Sequence, residues 1–265
     1  MHKPAHELRR AIATGRPVLG TMLVDHASPA IISILAECGY DFVLLDCEHG
    51  NFGPHEIESV IATGVHENLC VIVRPPSEGR ELITRALDAG AGGVLIPAVS
   101  SMEQVHAIVR ASKYYPVGKR GVHLMRGHTR HRAVDPVAFL AEANRDLITL
   151  IQIELKSALE IADEIAATNG VDGLYIGPAD LSADLGIAGQ WNSPTVHNAI
   201  RKVSEACRKH DKIMACHAGQ IAAMQPLRRI GVQMFGYDCE LGIFRQQATA
   251  LRKEFDATFD ATLQP

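Results

Sequence analysis

Eight short, nearly continuous apolar runs recur along the chain, each followed by a stretch with helical spacing. They are Val18 to Leu23, Phe42 to Asp46, Cys70 to Arg74, Val94 to Ile96, Thr149 to Glu154, Gly173 to Ile176, Ile213 to Cys216 and Gln233 to Gly236. Runs this short, without polar alternation, are expected of strands buried on both faces, as parallel strands are when helices cover them. The segments between them place apolar residues on one helical face, as in Ile57, Val60 and Ile61, or Val196, Ile200, Val203 and Cys207. Ser28-Pro29 and Pro54 are helix-start signals and Gly39 is a stop. A last helix is expected over Leu241 to Phe255. Eight such units in 265 residues match a closed (β/α)8 TIM barrel, an α/β fold that takes about 250 residues. An open, doubly wound sheet is the competing arrangement, but no GxGxxG follows the first run. No boundary is apparent inside the pattern, so residues 1–265 are expected to form one domain.

Composition narrows the partners. The formal net charge is -4, and the densest basic stretch (Arg120, Arg126, Arg130 and Arg132) is interleaved with histidines rather than aromatics. No nucleic-acid partner is expected from it. No apolar run approaches the roughly 18 residues of a membrane span, and the N-terminus lacks the apolar core of a signal peptide. The six cysteines form no CxxC pair, which fits free thiols in a reducing cytoplasm.

Polar residues end several of the strand runs, where a barrel enzyme keeps its chemistry. Glu154 closes Leu150-Ile-Gln-Ile153, and Asp180 follows the Leu174 to Ile176 run through Gly177-Pro178-Ala179. Fifth and sixth strands are neighbours in a barrel, so two carboxylates there suit a hard divalent cation with open positions for substrate. The plainer alternative pairs Glu154 with an arginine and leaves Asp180 as a helix cap. The turn at Gly177, Pro178 and Ala179 offers backbone N–H groups to a carboxylate or phosphate, or is simply a turn.

Arg74 stands before Pro75, positioned for a keto or enolate oxygen or a carboxylate; the alternative is a salt bridge with Asp46 or Glu48. His49 is the natural acid–base group, with Asp46 close enough to fix its tautomer, although any one of thirteen histidines is more ordinarily a solvated one. Lys156 is the strand-end lysine available for Schiff-base chemistry, or a solvated side chain. Ser182 lacks a GxSxG context. Cys216-His217 ends the seventh run and either lines the pocket or is structural. Residues 114–132 form a long basic, glycine-containing insertion, expected to be functional or mobile. Its Arg126 and Arg130 are candidates to meet a second carboxylate or hydroxyls of a substrate.

Together these pieces resemble the HpcH/HpaI aldolase family, the metal-dependent class II pyruvate aldolases. The matching text is Gly20-Thr21, Asp46-Cys-Glu48-His49-Gly50, Val73-Arg74-Pro75, Leu87-Asp88-Ala-Gly90-Ala-Gly92 and Ile96-Pro97. It continues with Tyr115-Pro116, Gly118-Lys-Arg120-Gly121, Ile151-Gln152-Ile153-Glu154, Val171-Asp172-Gly173 and Ile176-Gly177-Pro178-Ala179-Asp180-Leu181-Ser182. The match runs in family order from about Gly20 to Gly189.

The resemblance implies a barrel enzyme that cleaves or forms a 4-hydroxy-2-oxo acid, with pyruvate and an aldehyde as the other side of the reaction. It places a divalent metal (Mg²⁺, Mn²⁺ or Co²⁺) on Glu154 and Asp180. It makes Arg74 and the Asp46–His49 dyad catalytic, Gln152 a pocket residue, and Gly177 to Ala179 the receiver of the pyruvyl carboxylate. It further implies a homo-oligomer, trimer or hexamer, with the C-terminal helix 241–255 exchanged between subunits. Another metal-enolate lyase or a decarboxylase acting on a 2-oxo acid is the alternative reaction. Departures from the family text at Ala98, Lys156, Arg126 to Arg132 and Gly236-Tyr-Asp-Cys-Glu240 bear on the substrate more than on metal or dyad.

Overall fold

The structure, a computed structural model, describes residues 3–191 and 193–260. The first half runs α1 (Lys3–Ala13), β1 (Val18–Leu23), α2 (Pro29–Glu37), β2 (Phe42–Asp46), α3 (Pro54–Glu67), β3 (Cys70–Arg74), α4 (Arg80–Ala89), β4 (Gly93–Ile96), α5 (Met102–Ser112) and α6 (Pro136–Asp146). The second runs β5 (Ile148–Ile153), α7 (Lys156–Glu160), α8 (Ala162–Ala167), β6 (Gly173–Ile176), α9 (Pro178–Asp184), α10 (Pro194–Lys209), β7 (Ile213–Ala218), α11 (Ile221–Arg229), β8 (Met234–Cys239) and α12 (Glu240–Asp260). The eight strands pair in sequence order, all parallel, and β8 closes on β1. This is the (β/α)8 barrel that the eight runs predict.

Alternation along each strand sorts the apolar residues into two cores. Phe42 and Leu44, Cys70 and Ile72, Ile148 and Leu150, and Ile213 and Ala215 fill the barrel interior. Val43 and Leu45, Val71 and Val73, Ile151 and Ile153, and Leu174 and Ile176 face the helices. The helices begin as their sequence signals require. Ser28 caps α2, its hydroxyl accepting from the Ile31 N–H, and Asp135 does the same for α6 through Ala138.

Two helices, α1 and α6, have no counterpart among the expected elements. α1 sets Ala5, Leu8 and Ile12 on one face and buries them with the barrel-interior residues. Each of the two larger side chains contributes about 1.5–3 kcal/mol by that burial. The basic insertion is strapped to the outside of the barrel. Arg120 pairs with Asp88 of α4 at 2.6 Å, and Arg126 pairs with Glu58 of α3 at 2.6 Å. His128 Nδ1 lies 2.9 Å from the Asp88 carbonyl. Arg130 reaches the Val65 carbonyl at 3.5 Å. These partners lie on the helical layer, although Arg126 also lines a cavity with Cys47, Val73 and Pro75 at the ends of β2 and β3. Among the described residues no helix is long and apolar enough to cross a membrane.

Asp172, just before β6, ties three parts of the fold together. It accepts from Arg9 of α1 at 2.5 Å, from Lys113 Nζ at 2.7 Å and from the Thr149 N–H of β5 at 2.7 Å. Lys113 is 1 % exposed and also donates to the Leu147 carbonyl at 2.6 Å. Burial pushes its pKa down, and Asp172 offsets part of that. Asp172→Ala is expected to destabilise the fold by about 3–5 kcal/mol, because it strands a buried ammonium. Urea unfolding measures this, and Lys113→Met in the same background should recover part of the loss.

Candidate active site

The same alternation decides which strand-end side chains enter the barrel mouth. Asp46 continues the inward set Phe42 and Leu44, and Arg74 continues Cys70 and Ile72. Gln152 and Glu154 continue Ile148 and Leu150, and His217 continues Ile213 and Ala215. Cys216, one residue earlier, belongs to the outer core.

Arg74 and Asp46 form the centre of the site. Arg74 Nε donates to Asp46 Oδ1 at 2.8 Å and Nη2 to Oδ2 at 2.7 Å, a two-pronged pair with both residues buried. Nη1 stands 3.3 Å from Glu48 Oε2, and Nη2 3.8 Å from Met22 Sδ. Asp46 also accepts the backbone N–H of Glu48 at 3.0 Å and of His49 at 3.4 Å. Arg74 therefore makes both of the salt bridges that the sequence left as its alternative role.

The two neighbouring carboxylates are driven apart in acidity. Burial works to raise Asp46, but the Arg74 hydrogen bonds and charge, with the two backbone N–H groups, leave it below the usual carboxylate range. For Glu48 burial prevails over the pull of Arg74, and repulsion from Glu154 adds to it, so its pKa is raised. Burial also opposes the charge on Arg74, and the bonds from Asp46 more than restore it.

The His49 ring is 67 % exposed and its Nε2 lies 4.0 Å from Glu48 Oε2. Asp46 touches His49 through the backbone, not the ring. The structure thus places Glu48, rather than Asp46, as the carboxylate nearest the imidazole.

Glu154 is 5 % exposed and receives the Ala98 N–H on Oε1 at 2.5 Å and Gln152 Nε2 on Oε2. Ala98 reaches it with φ +54, a left-handed conformation unusual for a residue with a side chain. Among the described residues no lysine or arginine forms an ion pair with Glu154, although Arg74 is near enough for their charges to interact. Gly177 lies level with Glu154, since Ile153 pairs with Ile176. A Cβ at Gly177 would stand 3.0 Å from Gln152 Nε2 and 3.2 Å from Glu154 Oε2. The glycine leaves that space open, and Gln152 Oε1 beside it is buried without a partner.

Asp180 occupies the first turn of α9, exposed, and makes no hydrogen bond or ion pair to a described residue. Pro178 starts that helix, and Ala179 is exposed beside it. An unneutralised buried carboxylate, an unpaired amide oxygen and a free carboxylate on adjacent strand ends fit a hard cation. Among the described residues no three His, Cys, Asp or Glu side chains converge into a closed cage.

Lys156 and Ser182 do not join this cluster. Lys156 is exposed at the start of α7, and Ser182 is buried with its hydroxyl donating to the Ala179 carbonyl at 2.7 Å. Two residues of the mouth are missing from the sequence reading above, Met22 beside Arg74 and Tyr175 beside His217. Counting two residues back from Gly177 would have put Tyr175 on the inward face.

A parallel barrel whose charged groups crowd the C-terminal strand ends is the architecture of an enzyme. The sequence profile of the HpcH/HpaI aldolase/citrate lyase family matches residues 21–243, and the chain belongs to that family. It is 31% identical over 255 residues to the hydroxypyruvate/pyruvate aldolase of Sagittula stellata, covering 96% of this chain and 100% of that one. It is also 31% identical to the 4-hydroxy-2-oxo-heptane-1,7-dioate aldolase of Shigella boydii, with 95% of each chain covered. The crystal structure of an HpcH/HpaI aldolase from Desulfitobacterium hafniense superposes with a TM-score of 0.89 at 33% identity, covering 94% of this chain and 96% of that one.

The Arg74–Asp46 pair sets a pH signature. Its contribution through Asp46 is fully present above the unfolded carboxylate value of about 3.9, and is lost as pH falls through the depressed folded value. Arg74→Met leaves Asp46 buried and unpaired. The stability gap between wild type and Arg74→Met is expected to be widest near neutral pH and to narrow below about pH 4. Urea titrations across that range measure it; a gap independent of pH would refute the assignment.

Proposed function

We propose that this protein is a divalent-metal-dependent aldolase that cleaves a 4-hydroxy-2-oxo acid into pyruvate and an aldehyde, or joins them. The observation that carries this reading is Glu154, buried near Arg74 without an ion-pair partner among the described residues, at the end of the strand beside the one whose turn leads into Asp180. Glu154 and Asp180 would hold Mg²⁺, Mn²⁺ or Co²⁺. When bound, the cation supplies Lewis-acid polarisation of the keto group.

The chain's own groups supply the rest. The turn at Gly177, Pro178 and Ala179 receives the pyruvyl carboxylate, with Ala179 and Asp180 N–H free of helical partners as first-turn donors. Gln152, with its amide already anchored on Glu154, lines the keto-acid pocket. His49 takes the proton from the C4 hydroxyl, and Glu48, with its raised pKa, is its nearest carboxylate. As the C3–C4 bond breaks, charge moves onto the pyruvyl oxygen, and Arg74 holds it. Asp46 keeps the guanidinium in place. Protonation of C3 then gives pyruvate.

Glu154→Gln and Asp180→Asn should each weaken Mn²⁺ binding in a titration followed by electron paramagnetic resonance. Both should also remove EDTA-sensitive release of pyruvate from 4-hydroxy-2-oxo acids. Arg74→Lys is expected to lower kcat by about 10²–10³ with the metal still bound. Metal-dependent cleavage undiminished in Glu154→Gln would sink the assignment. Carbon dioxide released in place of an aldehyde would favour a decarboxylase.

The assembly belongs to the same reading. On α12, Phe244, Leu251 and Phe255 recur on one helical face and are 72%, 56% and 52% exposed. We take this helix, expected from the sequence over 241–255, as the element exchanged between subunits of a trimer or hexamer in the cytoplasm. Phe244→Asp combined with Phe255→Asp should shift the sedimentation coefficient to that of a monomer.

A further inference from the structure

The mouth has a second polar pair, away from Asp46 and Glu48. Tyr175 is 1 % exposed inside the barrel, and its hydroxyl meets His217 Nδ1 at 3.2 Å. Gly236 on β8 makes this possible: a Cβ there would collide with Tyr175 Oη and stand 3.1 Å from His217 Nδ1. A phenol hydroxyl closed off from water needs an acceptor, and His217 Nδ1 is the hydrogen-bonding partner it has among the described residues. Nδ1 therefore carries the lone pair, and the ring proton sits on Nε2.

Burial lowers the pKa of His217, with Asp238 acting against it and Arg74 reinforcing it, so the neutral ring prevails at pH 7. Nε2 donates to no described residue, so the donor is left for something else. Ile176 pairs with Cys216, which sets His217 level with Gly177, next to the turn assigned to the keto acid. His217 also lines a cavity of about 180 Å³ between the end of β7 and the helices α10 and α11, shared with Pro178, Trp191, His197, Gln220 and the apolar Ile200 and Leu227. Among the described residues no lysine, arginine, aspartate or glutamate lines it. At about 30 Å³ per water-sized group, it holds roughly six heavy atoms.

We propose that His217, held by Tyr175 as the Nε2–H tautomer, is the donor that selects substrates whose aldehyde half bears an uncharged hydroxyl. The inference rests on the aldolase reading above and names the substrate class of that site. A hydroxyl oxygen satisfies Nε2–H, whereas an alkyl chain leaves it unpaired. Among the described residues lining that cavity, none is a cation that would meet a second carboxylate. His217 touches the substrate, and Tyr175 is a positioning residue that acts through it.

Glycolaldehyde and propionaldehyde have the same number of heavy atoms and differ in the hydroxyl, so they isolate the contact. The full-length protein with Mn²⁺ and pyruvate is assayed for addition to each, with succinic semialdehyde as the acidic comparison. Wild type is expected to favour glycolaldehyde over both. The ratio of kcat/KM for glycolaldehyde to that for propionaldehyde should fall by about tenfold or more in His217→Leu. Tyr175→Phe, which keeps the ring packing, should lower the same ratio. Nitrogen-15 spectra should show His217 protonated on Nε2 in wild type. Equal losses on both aldehydes, an unchanged ratio in both variants, or a proton on Nδ1 would overturn the proposal. Deuterium exchange into the pyruvate methyl group, measured on wild type without aldehyde, tests the aldolase reading separately. Absence of both exchange and addition would overturn that reading and the selection proposal with it.

Discussion

The bidentate contact between Arg74 and Asp46 is where the dry interior of the barrel gives way to its chemistry. Below it, Phe42, Leu44, Cys70 and Ile72 exclude water. Above it, Glu48, His49 and Asp180 meet solvent. Neither member of the pair is tolerable alone at that depth, since an isolated buried charge costs several kcal/mol. Each therefore fixes the other, and the Asp46 carboxylate also gathers the backbone of the loop that carries His49. The guanidinium arrives preorganised, its orientation set by a neighbour rather than by the substrate it is proposed to meet.

The barrel was readable because its strands announce themselves. Near-continuous apolar runs of four to six residues, bounded by turn residues, suit strands covered on both faces, and eight of them count a barrel. Arg74, Glu154 and Asp180 were readable because a charge at the end of such a run needs a reason. Other features depend on three-dimensional proximity that spacing does not encode. α1 is largely polar in sequence, and its three inward residues become a core only against the barrel floor. Asp46 and His49 are close in the chain, yet Arg74 takes the carboxylate and leaves the ring beside Glu48. The left-handed turn at Ala98, which points an N–H at Glu154, has no glycine to flag it.

The mouth is electrically divided. Arg74, Asp46, Glu48 and Glu154 concentrate charge toward β2, β3 and β5, where bond cleavage is proposed. Toward β6 and β7 Asp180 stands exposed at the start of α9, with Tyr175, His217 and the uncharged lining around Trp191 beside it. Of the insertion's cations that the sequence offered as readers of a second carboxylate, Arg126 pairs with Glu58 and Arg130 reaches the Val65 carbonyl, both on the helical layer. Under the role proposed for His217, substrate choice would rest on a hydrogen bond of fixed direction, which salt screens less than an exposed ion pair.

Gly236 gives the site a history as well as a shape. Its missing side chain and the Tyr175 hydroxyl occupy one volume, so the two positions cannot drift independently. A lineage that lost the phenol oxygen first would remove the hardest clash facing an alanine at 236, leaving the tight approach to His217 Nδ1, and the way back would then be closed until that alanine reverted. The order of substitutions would matter more than their number, making this corner of the barrel a ratchet among proteins descended from a common sequence.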